Sequence, residues 1–558
     1  MTLPEPASAD LSAFRRTPDQ VMRLARMGSA HPTRLSFLRV MLARMAAEGW
    51  RFDRPLWSLD ATGVGRAVYR AIGPLRTYSL VAFAHDLPAD QRSDRVIATA
   101  WDATFSLFDG VPTKADLDRL QANVPLQEAG RISAQELTLA RANRSVRLFD
   151  HVVARLAAGL QPDPAEVAAV GYLMRTTAVY GSGKFGAADR ARIADRAELT
   201  APFQAEMLTV WLIRQFTVDL VEHLALLRGG AGAVRLNAAT RQSLGVGNAT
   251  GLGMAPFLIR HPVLIHAWMA AREEALARVR AQGAARADAV AGFRAALTEA
   301  QDNAALWRTD HPVQSAKLAD LRRDLAQIAG WAGGWPEPGQ PHPWDALWRR
   351  GEKALSLEGQ EALLALMLEP HGDLVDDLAD HMSANEAAEF RLDGAMTVAR
   401  LRAILDDHYA WALALDFTQP HTEARFWYVS QEKLEPRIGD RFAEEGAARE
   451  QPLCIARLAY SLHRELAHWS ADQPVAAFLL AHPEHRQMVR RAQLAPRHPY
   501  AEVRDNLLAE AMLPIDLMRC KLALFGASRF DPRSDKWVRI SLFQGQPFPE
   551  DMPEAPLQ

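Results

Sequence analysis

Cysteine is nearly absent from this sequence of 558 residues, which contains only Cys454 and Cys520. Two cysteines exclude the disulfide framework typical of small secreted proteins, and the sequence has no CxxC or Cys/His zinc spacing. We expect both thiols to be buried apolar side chains, as free cysteines usually are. The low cysteine content favours the reducing cytoplasm as the compartment.

Long apolar runs and an excess of one charge are also lacking. The most apolar segment, residues 207–227, is interrupted by polar side chains such as Arg214 and Asp219, which predicts a buried helix and not a membrane span. The N-terminus does not have the pattern of a secretory signal. A net charge of −3 with interspersed signs disfavours nucleic-acid binding by general electrostatics. We expect a soluble cytoplasmic protein without nucleic-acid or membrane partners, for which homo-oligomers remain open.

Hydrophobic periodicity predicts a mainly α-helical protein of the α+β kind, with a large helical body and a small antiparallel β-sheet. Short β-branched and aromatic segments within residues 66–108 predict three or four strands. Apolar residues at steps of three and four predict helices through most of 114–415. The main predicted helices span 133–160, 163–179, 203–228 and 254–281. Predicted strands at 425–430 and 537–543 are candidates to complete the N-terminal sheet.

Composition divides the chain into four predicted segments. Residues 1–112 hold N-terminal helices and the small sheet, and residues 113–330 form a helical core with glycine-rich loops. Residues 331–424 form a helical segment that begins with a loop rich in Trp, Gly and Pro. Residues 425–558 supply the C-terminal helices and strands, which we expect to pack with the N-terminal sheet.

Two glycine-rich stretches carry the strongest indication of function. Dense glycines let a ligand approach main-chain N–H groups closely, and beside a helix N-terminus this geometry suits a carboxylate or phosphate. The first stretch is YGSGKFG at 180–186. Phe185 follows Lys184 where a phosphate loop needs Ser or Thr, and the preceding pattern is helical, so a P-loop NTPase is disfavoured. The stretch is either a helix C-cap with a turn or an anion-binding loop.

The second stretch is GVGNATGLGM at 245–254. It does not match GxGxxG, and no strand is predicted before it, so a dinucleotide fold is disfavoured. The stretch is either a nest of N–H groups in front of a helix at Met254 or a site of tight helix packing. Together the two stretches supply the substrate-binding candidates Ser182, Lys184, Asn248 and Thr250 and the cofactor-binding candidates Gly181, Gly183, Gly247, Gly251 and Gly253.

Two arginines are further candidates for binding an anionic substrate. Arg175 lies in an apolar segment just ahead of the first glycine-rich stretch. Its charge needs a partner, which is either a buried carboxylate such as Glu206 or Asp219 or an anionic ligand. Arg144 belongs to a basic group that is either a solvated helix face or a source of guanidinium groups for a site.

Tyr180, His85 and Glu206 are the candidates for proton transfer. His85 follows a predicted strand, where functional groups often lie, and the pKa of a histidine near neutrality suits a general base. The alternative is that a histidine at a strand end has a purely structural role.

Glu465 and His468 are weak candidates for metal ligands because they form a Glu-x-x-His motif. Di-iron bundles use two such motifs and two further glutamates, and the sequence has no second clean copy. An HExxH motif is also absent, so a zincin is not supported.

These features predict a soluble enzyme that acts on a small anionic metabolite bearing a carboxylate or a phosphate. The sequence does not separate an oxidoreductase from a lyase, and no motif identifies a cofactor or a known family. One alternative is a non-catalytic helical scaffold that binds a partner. A second alternative is a metal-dependent oxygenase that uses Glu465 and His468.

Overall fold

The described part of the chain divides into two compact units. Unit 1 comprises Met1–Leu35 and Leu252–Ala523, and unit 2 comprises Ser36–Gly251 and Leu524–Gln558. The computed structural model describes residues 11–88, 100–125, 133–180, 193, 195–199, 201–248, 258–259, 261–309, 312–382, 391–419, 422, 428–429, 434–435, 454–507, 514–531 and 539–552. The sequence-based division into four segments stays a prediction.

Helices make up most of the described residues. In chain order they are α1 (Pro18–Val21), α2 (Phe37–Ala47), α3 (Lys114–Asn123), α4 (Phe149–Ala157), α5 (Pro164–Val170), α6 (Gln204–Gly229), α7 (Ala238–Gln242), α8 (Pro262–Arg280), α9 (Ala287–Leu306), α10 (Pro312–Ala332), α11 (Pro343–Ala354), α12 (Leu357–Leu368), α13 (Gly372–Val375), α14 (Val398–His408), α15 (Ala410–Leu413), α16 (Ile455–Leu466), α17 (Val475–Ala481), α18 (Arg486–Leu494) and α19 (Pro514–Phe525). None of the helices among these described residues combines the length and the apolar character needed to cross a membrane.

Unit 2 contains a large mixed sheet. Its strands are β1 (Arg51–Leu59), β2 (Gly65–Ile72), β3 (Thr77–Ala84), β4 (Ala103–Asp109), β5 (Glu136–Arg144), β6 (Tyr172–Tyr180), β7 (Gly245–Asn248), β10 (Arg529–Asp531) and β11 (Arg539–Leu542). In unit 1 a separate pair joins β8 (Tyr428–Val429) to β9 (Leu434–Glu435). The order of the nine described strands is β1-β2-β3-β4-β5-β6-β7-β11-β10. All described neighbours are antiparallel except β6 and β7, which are parallel.

The expectation of a small antiparallel sheet is wrong, because the sheet is large and mixed. The predicted helices 133–160 and 163–179 are also wrong, since these residues form β5, α4, α5 and β6. Strand β5 is rich in Leu, Ala, Glu and Arg, which favour helices, and its polar–apolar alternation changes phase between Leu139 and Ala140. Pairing with β4 and β6 therefore overrides the local preference of this segment.

Other predicted elements agree with the structure. The predicted helix 203–228 is α6, and the predicted strand 537–543 contains β11, which joins the main sheet beside β7. The predicted strand 425–430 overlaps β8, which pairs with β9 outside that sheet.

The sheet has two edges that matter for the site. We call the edge where the parallel strands β6 and β7 end the carboxyl edge, and the edge where they begin the amino edge. Because its neighbours are antiparallel, β4 also ends at the carboxyl edge, whereas β3 ends and β4 begins at the amino edge.

Helix α6 covers one face of the sheet and runs from the carboxyl edge to the amino edge. Its early residue Thr209 bonds Thr138 near the start of β5 at 2.8 Å. Phe216 packs edge-on against Phe105 in the middle of β4, and the ring of His223 lies 3.5 Å from the carbonyl oxygen of Asp60, just beyond the end of β1. The first turn of α6 therefore lies toward the carboxyl edge.

The opposite face of the sheet is apolar toward the carboxyl edge. There α3 packs Leu120, with Val124 just beyond its end, against side chains of β2–β5 such as Val81, Phe108 and Leu139. Toward the amino edge the same face becomes polar.

Unit 1 is mainly helical, with the strand pair β8–β9, and contains a buried ion network. Arg16 donates to Glu273 at 2.6 and 2.8 Å and to Glu361 at 2.8 Å, and Arg272 also pairs with Glu361. These four side chains are almost fully removed from solvent. Each charge has an opposite partner, which compensates for the loss of its hydration.

Candidate functional site

A row of largely buried polar residues crosses the face of the sheet opposite α6, near the amino edge. The row contains His85 after β3, Asp102 before β4, Asn143 in β5 and Arg175 in β6. The N–H of His85 donates to the carbonyl of Asp102 at 2.9 Å, and the N–H of Asp102 donates to Oδ1 of Asn143 at 3.0 Å. Asn143 and Arg175 lie directly opposite each other in the paired strands. Because directly opposite residues share a face, these four residues, which we call the polar row, lie on one side of the sheet.

Two residues of the next row lie on the same face. Thr104 follows Asp102 by two positions, and its Oγ1 lies 3.1 Å from Nε2 of His85. Arg141 is the partner of Thr104 in β5, and its guanidinium lies over the ring of Trp101 at 4.5 Å. The imidazole of His85 is thus held by a hydroxyl group beside a guanidinium group.

Arg144 contacts the same carboxylate from the end of β5. Its backbone N–H donates to Oδ2 of Asp102 at 2.9 Å, and its Nε lies 3.6 Å from Oδ1. Its guanidinium also lies 4.7 Å from the centre of the Phe149 ring. Asp102 is completely buried, so its charge depends on these partners.

Burial and charge act in opposite directions on the imidazole of this cluster. Burial lowers the pKa of His85, and the nearby charge of Asp102 opposes this effect. A neutral imidazole near pH 7 can accept a proton. Arg141, Arg144 and Arg175 bring three guanidinium groups to this part of the sheet, near the carboxylate of Asp102.

Irregular pairing of β6 shapes the cluster. The register shifts between Arg141 and Ala142 where β5 pairs with β6, and again between Tyr172 and Arg175 where β6 pairs with β7. Such bulges change the direction of side chains locally. Here they bring Arg175 opposite Asn143 while Tyr172 packs on Gly247.

The glycine-rich stretches meet the described strands at the carboxyl edge. Tyr180 is the last residue of β6, and Gly247 and Asn248 end β7. A Cβ at Gly247 would lie 2.9 Å from the ring of Tyr172, which accounts for glycine at this position. The other candidates of these stretches, Gly181, Ser182, Gly183, Lys184, Thr250, Gly251 and Gly253, lie outside the described residues.

Asn248 and Glu206 lie on the other face of the sheet, which α6 covers. Nδ2 of Asn248 donates to Oγ1 of Thr176 at 3.0 Å, and Glu206 is buried in the first turn of α6. The candidates from the sequence therefore separate into two places. His85, Arg144 and Arg175 come together at the polar row, whereas Glu206 and Asn248 lie behind the sheet.

The weak metal candidates lie in unit 1. Glu465 is in the last turn of α16, and His468 is exposed beyond the end of that helix. Nearby His463 pairs with Asp406 at 2.9 Å. Within the described ranges, no group of three or more His, Cys, Asp or Glu side chains is arranged to hold a metal ion.

Sequence reasoning did not single out Thr104 or Gln204, which the structure makes prominent. Thr104 could have been found, because it follows Asp102 at the two-residue spacing of a strand. Gln204, at the start of α6, carries no sequence signal that distinguishes it from a surface glutamine.

Comparisons of this chain with protein-family models, with curated proteins and with solved structures gave no match. Any function must therefore be argued from the residues themselves.

Proposed function

We propose that the protein is a cytoplasmic enzyme that acts on a small organic anion bound at the polar row. The observation that carries this proposal is the register of β3 to β6, which aligns His85, Asp102, Asn143 and Arg175 on one face. A titratable imidazole next to several guanidinium groups combines proton transfer with recognition of a carboxylate or phosphate.

Each residue has a distinct role in this proposal. Arg141 and Arg175 bind the anionic group, for which the planar guanidinium is suited. His85 accepts or donates a proton, and Asp102, held by Arg144, adjusts the pKa of that imidazole. Lys184 and Tyr180, from the first glycine-rich stretch, remain candidates for contacts with another part of the substrate.

The main alternative is a scaffold without catalysis, in which the polar row only stabilises the sheet. The two functions differ in what a substitution does. In a scaffold, loss of Arg175 changes stability alone, whereas in the enzyme it removes binding of the anion.

A thermal-shift screen of carboxylate and phosphate metabolites tests the proposal. We expect at least one anion to raise the melting temperature of the wild-type protein. Arg175→Met should weaken its binding about 10- to 100-fold, the loss expected for a charge-assisted hydrogen bond. Arg66→Met is the matched control, because Arg66 lies in β2 of the same sheet and pairs with Asp118 away from the row. A screen without any stabilising anion, or equal loss of binding in both variants, would contradict the proposal.

A further inference from the structure

The N-terminus of α6 is buried, which is unusual for a helix end. Ala201 to Glu206 are all buried, and Phe203 at the N-cap position makes no capping hydrogen bond with its side chain. The first N–H groups of a helix have no partners within the helix and need them from elsewhere. The N–H of Gln204 bonds the carbonyl of Ala201 at 3.4 Å, and the partial positive charge at the start of a helix of 26 residues favours a polar ligand group beside it.

Gln204 provides a second and independent observation at this end. The residue is 2 % exposed, and both its Nε2 and its Oε1 are buried without a hydrogen-bond partner among the described residues. Side chains in a helix lean toward its N-terminus, so the amide of this first residue lies over the helix end. A buried amide without partners is rare in native proteins, since each lost hydrogen bond is costly.

Gln215, three turns further along α6, shows how the same side chain is satisfied elsewhere. Its Nε2 donates to Asp219 at 2.9 Å, and its Oε1 accepts from Arg241 at 3.3 Å. The contrast within one helix shows that the described residues give the amide of Gln204 no such partners, as expected for a side chain that binds a ligand. Oδ1 of Asn248, on the sheet face that α6 covers, is likewise buried without a partner in the described part of the chain.

The surroundings favour a neutral and planar ligand group. The ring of Phe203 packs against Phe37 at 4.8 Å and against Phe525 at 5.2 Å, which places an aromatic cluster at this helix end. An amide side chain offers a donor beside an acceptor, and its complement is a group with an acceptor beside a donor.

We infer that the N-terminus of α6 binds a small neutral ligand through a carboxamide or lactam group that pairs with the amide of Gln204. Two parallel hydrogen bonds join the two amides, and the plane of the ligand packs near the phenylalanine cluster. The sheet separates this site from the polar row, so either site can fail without the other.

The test compares wild-type protein with Gln204→Leu and with the matched control Gln215→Leu. Small molecules released by denaturing each purified protein are identified by mass spectrometry. Preparations that release none are titrated with nicotinamide and with uracil, which present a carboxamide and a lactam, while the melting temperature is recorded.

Either of two results supports the site. In the first result, the wild type and Gln215→Leu release about one molecule of an amide-bearing compound per chain, and Gln204→Leu releases at least tenfold less. In the second result, none of the proteins releases a compound. A probe then raises the melting temperatures of the wild type and of Gln215→Leu but does not change that of Gln204→Leu. Equal release or equal shifts in wild type and Gln204→Leu overturn it, as does an empty protein that neither probe stabilises. In that last case a buried water molecule satisfies Gln204, and Gln204→Leu melts below the wild type.

Discussion

Asp102 and Arg144 are joined at the amino edge of the sheet by the backbone N–H of Arg144, which donates to Oδ2 of the carboxylate at 2.9 Å. The contact places a buried negative charge beneath His85, whose own N–H bonds the carbonyl of the same aspartate. The pKa of His85 therefore reflects two opposed effects, burial that lowers it and the charge of Asp102 that raises it.

Replacing Asp102 by Asn should lower the pKa of His85 further. The substitution keeps the shape of the side chain and removes the charge that stabilises the imidazolium. Titration of the His85 ring followed by NMR measures the effect. Asp118→Asn, which removes an exposed carboxylate from α3, is the control and should leave the titration of His85 unchanged. An unchanged or raised pKa in Asp102→Asn would show that the carboxylate does not act on His85.

Thr104→Val should lower the free energy of unfolding by about 1 kcal/mol, the usual value of one hydrogen bond. Valine keeps the branched shape in β4 but leaves Nε2 of His85 without its partner. Thr104→Ser retains the hydroxyl and should restore both the stability and the titration of His85. If Thr104→Val is as stable as the wild type while Thr104→Ser is not, the methyl group of Thr104, and not the hydrogen bond, accounts for its effect. Urea unfolding of the three proteins measures the difference.

The polar row shows where sequence reasoning succeeds and where it stops. His85 and Asp102 could be found because strand ends often carry functional groups, and β3 and β4 have recognisable strand patterns. Arg141 and Asn143 could not be placed with them, because a helical interpretation of this segment sends the two side chains in different directions. In the strand β5 they are two positions apart and share a face. Segment 136–144 forms a strand because it pairs with β4 and β6. Local propensity carries no information about these partners, which are distant in the sequence.

Arg16→Met in unit 1 should lower the free energy of unfolding by about 3 to 5 kcal/mol. The substitution leaves Glu273 and Glu361 buried with fewer positive partners, and an uncompensated buried charge is strongly destabilising. Its neighbour provides the control, because Arg15 is half exposed and pairs with Glu274 at the surface. Arg15→Met should cost less than about 1 kcal/mol. Similar losses in the two variants would contradict the importance that we assign to the buried network.

The stability of unit 1 should also depend on pH through His266. Burial, with a smaller effect from His498, lowers the pKa of His266 from 6.5 to about 4. The unfolded chain then takes up a proton below pH 6.5 while the folded chain does not. The free energy of unfolding has its full value above pH 6.5, falls as the pH decreases toward 4 and stays level below that value. The total decrease is about 1 to 3 kcal/mol.

His266→Asn removes this titration while keeping an acceptor for the backbone N–H of Tyr500, which now bonds Nδ1 of His266 at 3.1 Å. The wild type should therefore lose more stability than the variant between pH 6.5 and 4, as measured by urea unfolding across that range. His468→Gln alters an exposed histidine of the same unit and should follow the wild-type curve. If His266→Asn also follows the wild-type curve, His266 takes up its proton equally in the folded and unfolded chains, and the packing of His498 and Tyr500 around it does not keep the ring neutral.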